Sequence, residues 1–160
     1  MRIRLVAIGR KMPDWVNAGF SEYSKRLTHA FSLELIEVDS PRRSAKAPVR
    51  SIVEEEGVRL LHAAPKGSYQ IALDEQGHSY SSESLASQLA QWMRLGRDLT
   101  LLVGGPDGLS ARVREAADQH WSLSPLTLAH PLVRVIIAEQ LYRAHAILEG
   151  LPYHRSGRVA

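Results

Sequence analysis

No cysteine occurs among the 160 residues. That excludes disulfides, thiolate nucleophiles and cysteine metal sites, and it fits a reducing compartment. Long apolar runs are missing too, since none approaches the roughly 20 residues a membrane span requires. Nor does the start read as a signal peptide: Arg2 and Arg4 interrupt the first apolar run, and Pro13-Asp14 follow at once. These absences predict a soluble, cytoplasmic chain. Three familiar chemistries lack their motifs. Glycines are not followed by Lys-Ser/Thr as in a Walker loop, and neither Gly-x-Gly-x-x-Gly nor the Gly-x-Ser-x-Gly elbow occurs. His29, His62, His78, His120 and His145 stand singly without metal-ligand spacing, so no metal is expected.

What is present describes an ordinary globular chain, 44% apolar and 23% charged, of a length that fits one domain over residues 1–160. The net charge is only +3, but arginine supplies most of the positive side and is unevenly placed. The densest group is Arg42, Arg43, Lys46 and Arg50, with Arg10-Lys11, Lys25-Arg26 and the tail residues Arg155 and Arg158 as lesser ones. Guanidinium forks match phosphate geometry, so these groups read either as a solvated face or as a nucleic-acid footprint.

Strand and helix patterns alternate along the chain. Residues 3–8 and 33–38 read as strands, and Val16, Phe20, Tyr23 and Leu27 fall at helical spacing between them. A polar loop at 39–48 precedes a helix carried by Val49, Ile52, Val53, Leu60 and Leu61. Residues 69–73 form a short strand that ends in Asp74 and the turn residue Gly77. Ser81 or Ser82 caps a helix bearing Leu85, Leu89, Trp92 and Met93, which Gly96 terminates. Residues 99–103 are apolar on both faces, the pattern of a central strand. Ser110 caps a short helix over 111–117, residues 121–124 form the last strand, and 131–149 the longest helix. That helix has an apolar face wide enough for burial on more than one side. The alternation predicts a mostly parallel α/β sheet, in which Leu73, Gly104 and Ser124 sit at three strand ends and can converge on one pocket.

Three motifs could carry chemistry there. Gly104-Gly105-Pro106-Asp107-Gly108 lets backbone approach a ligand closely, although glycines at this position also suit a plain strand-to-helix turn. Ser122, Ser124 and Thr127 bracket a turn that is either capping chemistry or, beside the glycine turn, a main-chain cradle for an uncharged ring such as adenine. After Pro152, the trio Tyr153-His154-Arg155 combines a stacking ring, a group that titrates near neutrality and a phosphate grip. Its alternative is a frayed terminus without a role.

These same residues carry a resemblance. Residues 102–108, Trp121-Ser122-Leu123-Ser124, and the run from His130-Pro131-Leu132-Val133-Arg134 through Glu139-Gln140-Leu141-Tyr142-Arg143-Ala144 to Pro152-Tyr153-His154-Arg155 are similar to the RlmH family. So are Leu5-Val6-Ala7-Ile8-Gly9 and Lys11-Met12-Pro13-Asp14-Trp15 near the start. These are bacterial rRNA pseudouridine N3-methyltransferases of the SPOUT superfamily. The resemblance implies a Rossmann-like α/β domain with a C-terminal trefoil knot, an exception to unknotted connections, and a homodimer. It implies S-adenosyl-L-methionine as cofactor, held by Leu73, Gly104, Leu123, Ser124, Pro125, Leu126, Thr127 and Leu128. It further implies that Tyr153, His154 and Arg155 are catalytic, closing on 23S rRNA in the joined ribosome across the dimer interface, with His154 the candidate base. Asp107 stands where the family commonly has Glu, and five residues follow Arg155. Two other functions compete, a non-catalytic ribosome-associated binding protein and a methyltransferase acting on a protein or small molecule.

Overall fold

The computed structural model describes residues 1–27, 31–42 and 46–157. His29, Arg43 and Arg158 lie outside these residues. Five strands, β1 (Arg2–Ile8), β2 (Ser32–Val38), β3 (Tyr69–Ser79), β4 (Leu99–Val103) and β5 (Gln119–Ser122), form one parallel sheet in the order β2-β1-β4-β3-β5. Among the described residues, five helices, α1 (Asp14–Ser24), α2 (Val49–Ala63), α3 (Ser82–Met93), α4 (Ala111–Ala116) and α5 (His130–Glu149), cover its two faces.

The period of two along the central strands divides the core. Ile3, Leu5 and Ala7 of β1 and Leu99, Leu101 and Val103 of β4 pack under α1, α3 and α5, together with Phe20, Leu89, Trp92 and Leu141. The intervening Val6, Ile8 and Leu102 pack instead against Leu60 of α2 and Val113 of α4. All five residues of β4 are buried, as a strand apolar on both faces requires. Ser81 caps α3 by accepting from the Ser84 N–H, and Ser110 caps α4 by accepting from the Val113 N–H.

The structure differs from the sequence expectations at several edges. β3 runs to Ser79 instead of ending near Leu73, with its register against β5 shifting between Leu73 and His78. The polar stretch 74–77 is therefore a bulge rather than a terminating turn. Gly77 permits it, because a Cβ there would lie 2.7 Å from the Trp121 nitrogen. β5 begins at Gln119, whose side-chain oxygen accepts from Trp92 Nε1 at 2.9 Å, and stops at Ser122, whose hydroxyl turns to the Ser124 carbonyl at 3.1 Å. Leu123 and Ser124 thus belong to the loop and not to the strand. Leu27 is buried from a turn beyond α1, α4 stops one residue short of Ala117, and Met93 is exposed. On the apolar face of α5, Leu132 and Leu148 are open to solvent in the single chain.

Candidate active site

The path from β5 to α5 builds the site. β5 lies at one edge of the sheet beside β3, yet α5 starts against the far end of β1, where His130 Nε2 reaches the Ile8 carbonyl at 2.6 Å. Residues 123–129 must therefore cross above the carboxyl ends of β3 and β4. Beneath them the glycine turn after β4 rises to meet them. Between the two loops lies a cleft of about 600 Å³, within the range of small-molecule sites.

Both loops are held by local chemistry. The Gly108 N–H donates to the Gly105 carbonyl at 3.0 Å, and Gly108 has a φ of +85°, which closes the turn. A Cβ on Gly104 would lie 2.6 Å from the Gly108 carbonyl oxygen, and one on Gly105 would run into the buried Glu56 carboxylate. In the upper loop the Ser124 hydroxyl accepts from the Leu126 N–H at 2.9 Å, a serine turn that aims the backbone. α5 opens at Ala129 with no side-chain cap; Pro131 carries no N–H, and the Leu132 N–H donates to the Ala129 carbonyl at 2.9 Å.

Seven of the eight residues implied to hold the cofactor line this cleft: Leu73, Gly104, Leu123, Ser124, Leu126, Thr127 and Leu128. Pro125 is exposed and is not part of the lining. The lining also includes residues that sequence reasoning did not assign, namely Asp74, Glu75, Asp107, Arg114, His130 and Val133. Asp74 pairs with Arg114 Nε at 3.0 Å and accepts from the Gln76 N–H at 3.1 Å. The bulge in β3 brings this acidic stretch to the cleft, a feature hidden while 74–77 read as a turn. Burial pushes the His130 imidazole below its ordinary pKa, and the nearby Arg134 guanidinium adds to the effect against the raising influence of the Ile8 carbonyl.

Tyr153, His154 and Arg155 are not in the cleft. The chain leaves α5 through Gly150, which has a φ of +67°, and folds back on the helix's last turns. Tyr153 donates to Glu139 at 2.9 Å and lies edge-on to Tyr142, with the Arg143 guanidinium over its ring. Burial and then the Glu139 carboxylate push the Tyr153 hydroxyl up to about 12. Arg143 donates to His154 Nδ1 at 3.2 Å, so the ring proton sits on Nε2 and donates to Glu83 at 2.9 Å. Arg155 is exposed. The thirteen residue steps from His130 to Arg143 span about 20 Å of helix. In one chain the tail and the cleft are therefore separate.

Among the described residues, no group of His, Asp or Glu could hold a metal ion, and no helix is long and apolar enough to cross a membrane. Arg10 pairs with Asp39 at 2.7 Å, and Lys25 and Arg26 both pair with Glu22. Arg42, Lys46 and Arg50 are exposed and pair with no carboxylate among the described residues.

A parallel α/β sheet with a ligand-sized cleft over its strand ends is a fold that many enzymes share, and here the class is defined by kinship. The chain belongs to the SPOUT methyltransferase family, whose model, described as "Predicted SPOUT methyltransferase", matches residues 1–154. It is 54% identical over 155 residues to "Ribosomal RNA large subunit methyltransferase H" of Thioalkalivibrio sulfidiphilus (strain HL-EbGR7), covering 97% of this chain and 99% of that one. A protein of the same name from Hahella chejuensis (strain KCTC 2396) is 51% identical over the same shares. A solved structure described as a probable methylase family protein from Haemophilus influenzae Rd KW20 shares the fold, with a TM-score of 0.52 and 11% identity over 99% of this chain and 72% of that one.

Proposed function

We propose that the protein transfers a methyl group from S-adenosyl-L-methionine to N3 of a pseudouridine in 23S rRNA, on the joined ribosome and in the cytoplasm. The observation that carries this reading is the full-length kinship with two proteins named as large-subunit rRNA methyltransferases, each sharing half or more of its residues with this chain. The cleft supports it. Its walls are apolar at Leu73, Val103, Leu123 and Val133, its glycines let backbone approach a ligand, and its rim carries Asp74, Glu75 and Asp107. An adenosine suits the apolar walls and main-chain donors, and a sulfonium suits the carboxylates. When bound, the cofactor supplies a methyl group attached to that cationic sulfur.

Leu73, Gly104 and residues 123–128 hold and orient the donor in this reading, and the loops bring it into line with the reacting nitrogen. Tyr153, His154 and Arg155 act on the nucleotide: the tyrosine ring packs on the base and the arginine holds phosphate or developing negative charge. Since the trio lies far from the cleft of its own chain, a second copy supplies it, and the active unit is a homodimer with a knotted C-terminal part. Exposed Trp15 and Leu132, near the N-terminal ends of the packed helices α1 and α5, offer apolar surface for that partner. Exposed Arg42, Lys46 and Arg50 supply salt-sensitive attraction to RNA.

The test is transfer of labelled methyl from S-adenosylmethionine to joined ribosomes, separate subunits and protein-free rRNA, with the modified base mapped. Label on a large-subunit pseudouridine in joined ribosomes is expected. Cofactor binding without label on any RNA would point to a methyltransferase with another substrate. Neither label nor binding would leave the ribosome-associated binding protein.

A further inference from the structure

We propose that His130 is the proton acceptor of the methyl transfer, an inference that rests on the function proposed above. N3 of a pseudouridine carries a proton and becomes a competent nucleophile only as that proton leaves. His154 is poorly placed to take it. Its Nδ1 lone pair is occupied by Arg143 and its Nε2 proton by Glu83. Asp74 is tied to Arg114. His130 differs from both.

His130 is among the residues that line the cleft, at the first turn of α5. Nε2 lies 2.6 Å from the Ile8 carbonyl oxygen, which can only accept, so Nε2 carries the ring proton and Nδ1 is left as a lone pair. No described residue hydrogen-bonds that nitrogen. The carbonyl that fixes the tautomer is itself anchored. Arg134, one turn further along α5 and fully buried, donates to Gly9 O at 2.7 Å, to Ile8 O at 3.4 Å and to Glu37 at 2.7 Å. Gly9 has a φ of +109°, a backbone conformation that favours glycine, and a Cβ there would lie 2.9 Å from Met12 Cε.

The surroundings keep the imidazole neutral and therefore ready to accept. Burial, the Arg134 guanidinium and the positive end of α5 all disfavour the imidazolium. On the sheet side the charged groups are Arg134 with its partner Glu37, and on the turn after β1 they are Arg10, paired with Asp39, and Lys11. Across the cleft stand Asp74, Glu75, Asp107 and Arg114.

The step balances. The N3–H bond breaks and its proton goes to Nδ1, while the N3 electron pair forms the bond to the methyl carbon. The methyl–sulfur bond breaks with its pair staying on sulfur. One positive charge moves from sulfur to imidazole, so the net charge of the site is unchanged. The carbonyl of Ile8 keeps its donor throughout, and the Arg134 charge then favours return of the proton to solvent.

Two readouts test this. In protein labelled with ¹⁵N-histidine, and with His130→Gln for assignment, the His130 ring should be the Nε2–H tautomer at neutral pH, take its second proton only below about 6.5, and shift at Nδ1 when S-adenosylhomocysteine is added. Glutamine keeps a donor for the Ile8 carbonyl but has no titrating nitrogen. His130→Gln should bind S-adenosylmethionine like the wild type, slow single-turnover methyl transfer to ribosomes by about 10²-fold or more, and lose the acid limb of the rate profile. A protonated Nδ1 at neutral pH, or a His130→Gln variant with wild-type rate and acid limb, would overturn the proposal. Wild-type protein that methylates no ribosome would overturn the proposed function and this inference with it. That outcome is distinct from an active wild type beside an equally active glutamine variant.

Discussion

Gly104 is fixed by contact rather than by its dihedral angles, since a methyl group there would meet the backbone of Gly108 at 2.6 Å. Gly104→Ala must displace the turn that floors the cleft. Overpacking of this kind costs about 1–3 kcal/mol, and calorimetry should find S-adenosylmethionine affinity reduced at least as much as stability. Tyr153→Ala should leave cofactor affinity unchanged and lower kcat/KM for ribosomes by the ~1–3 kcal/mol that a base stacked on an aromatic ring contributes. Equal losses in both measurements would place Tyr153 in the fold rather than on the nucleotide. His130 also makes a prediction for stability against pH. Its folded pKa lies below the unfolded one, so the folded state binds fewer protons through that window. The stability this provides is complete above about pH 6.5 and is lost as pH falls through the folded pKa. Urea midpoints should decline with acid in the wild type, and this part of the decline should vanish in His130→Gln.

The elements were legible where local signals agreed. The all-apolar β4, the serine caps of α3 and α4 and the presence of α2 followed from periodicity and capping chemistry, because each is decided by local pattern. The β3 bulge was not legible. Asp74 and Gly77 read as a turn, and only the proximity of β5, about 45 residues on, makes Gly77 a contact position. Arg134 was similarly concealed: an arginine in the first turns of a long helix reads as surface, yet it is fully buried and braces β1 and β2. Arg134→Met should cost about 3 kcal/mol in urea unfolding, the low end for breaking a buried pair, because Glu37 is 28% exposed and keeps water when its partner is lost. Ser110→Ala should cost about 1 kcal/mol by uncapping α4.

For the whole molecule, alternating strands and helices announced a parallel sheet but not the order β2-β1-β4-β3-β5. That order carries the loop 123–129 over the glycine turn and makes a cleft of strand ends that are distant in sequence. The expected convergence of Leu73, Gly104 and Ser124 appears as a shared lining, whereas the tail stands apart, because its separation from the cleft is set by the length of α5. The central claim is that one chain's cleft works with another chain's tail. Its most direct measurement is methyl transfer to ribosomes by purified heterodimers that pair a Gly104→Ala chain with a Tyr153→Ala chain, each compared with its own homodimer. The account predicts restored transfer, because one of the two sites joins an intact cleft to an intact tail. Heterodimers no faster than either parent would contradict it.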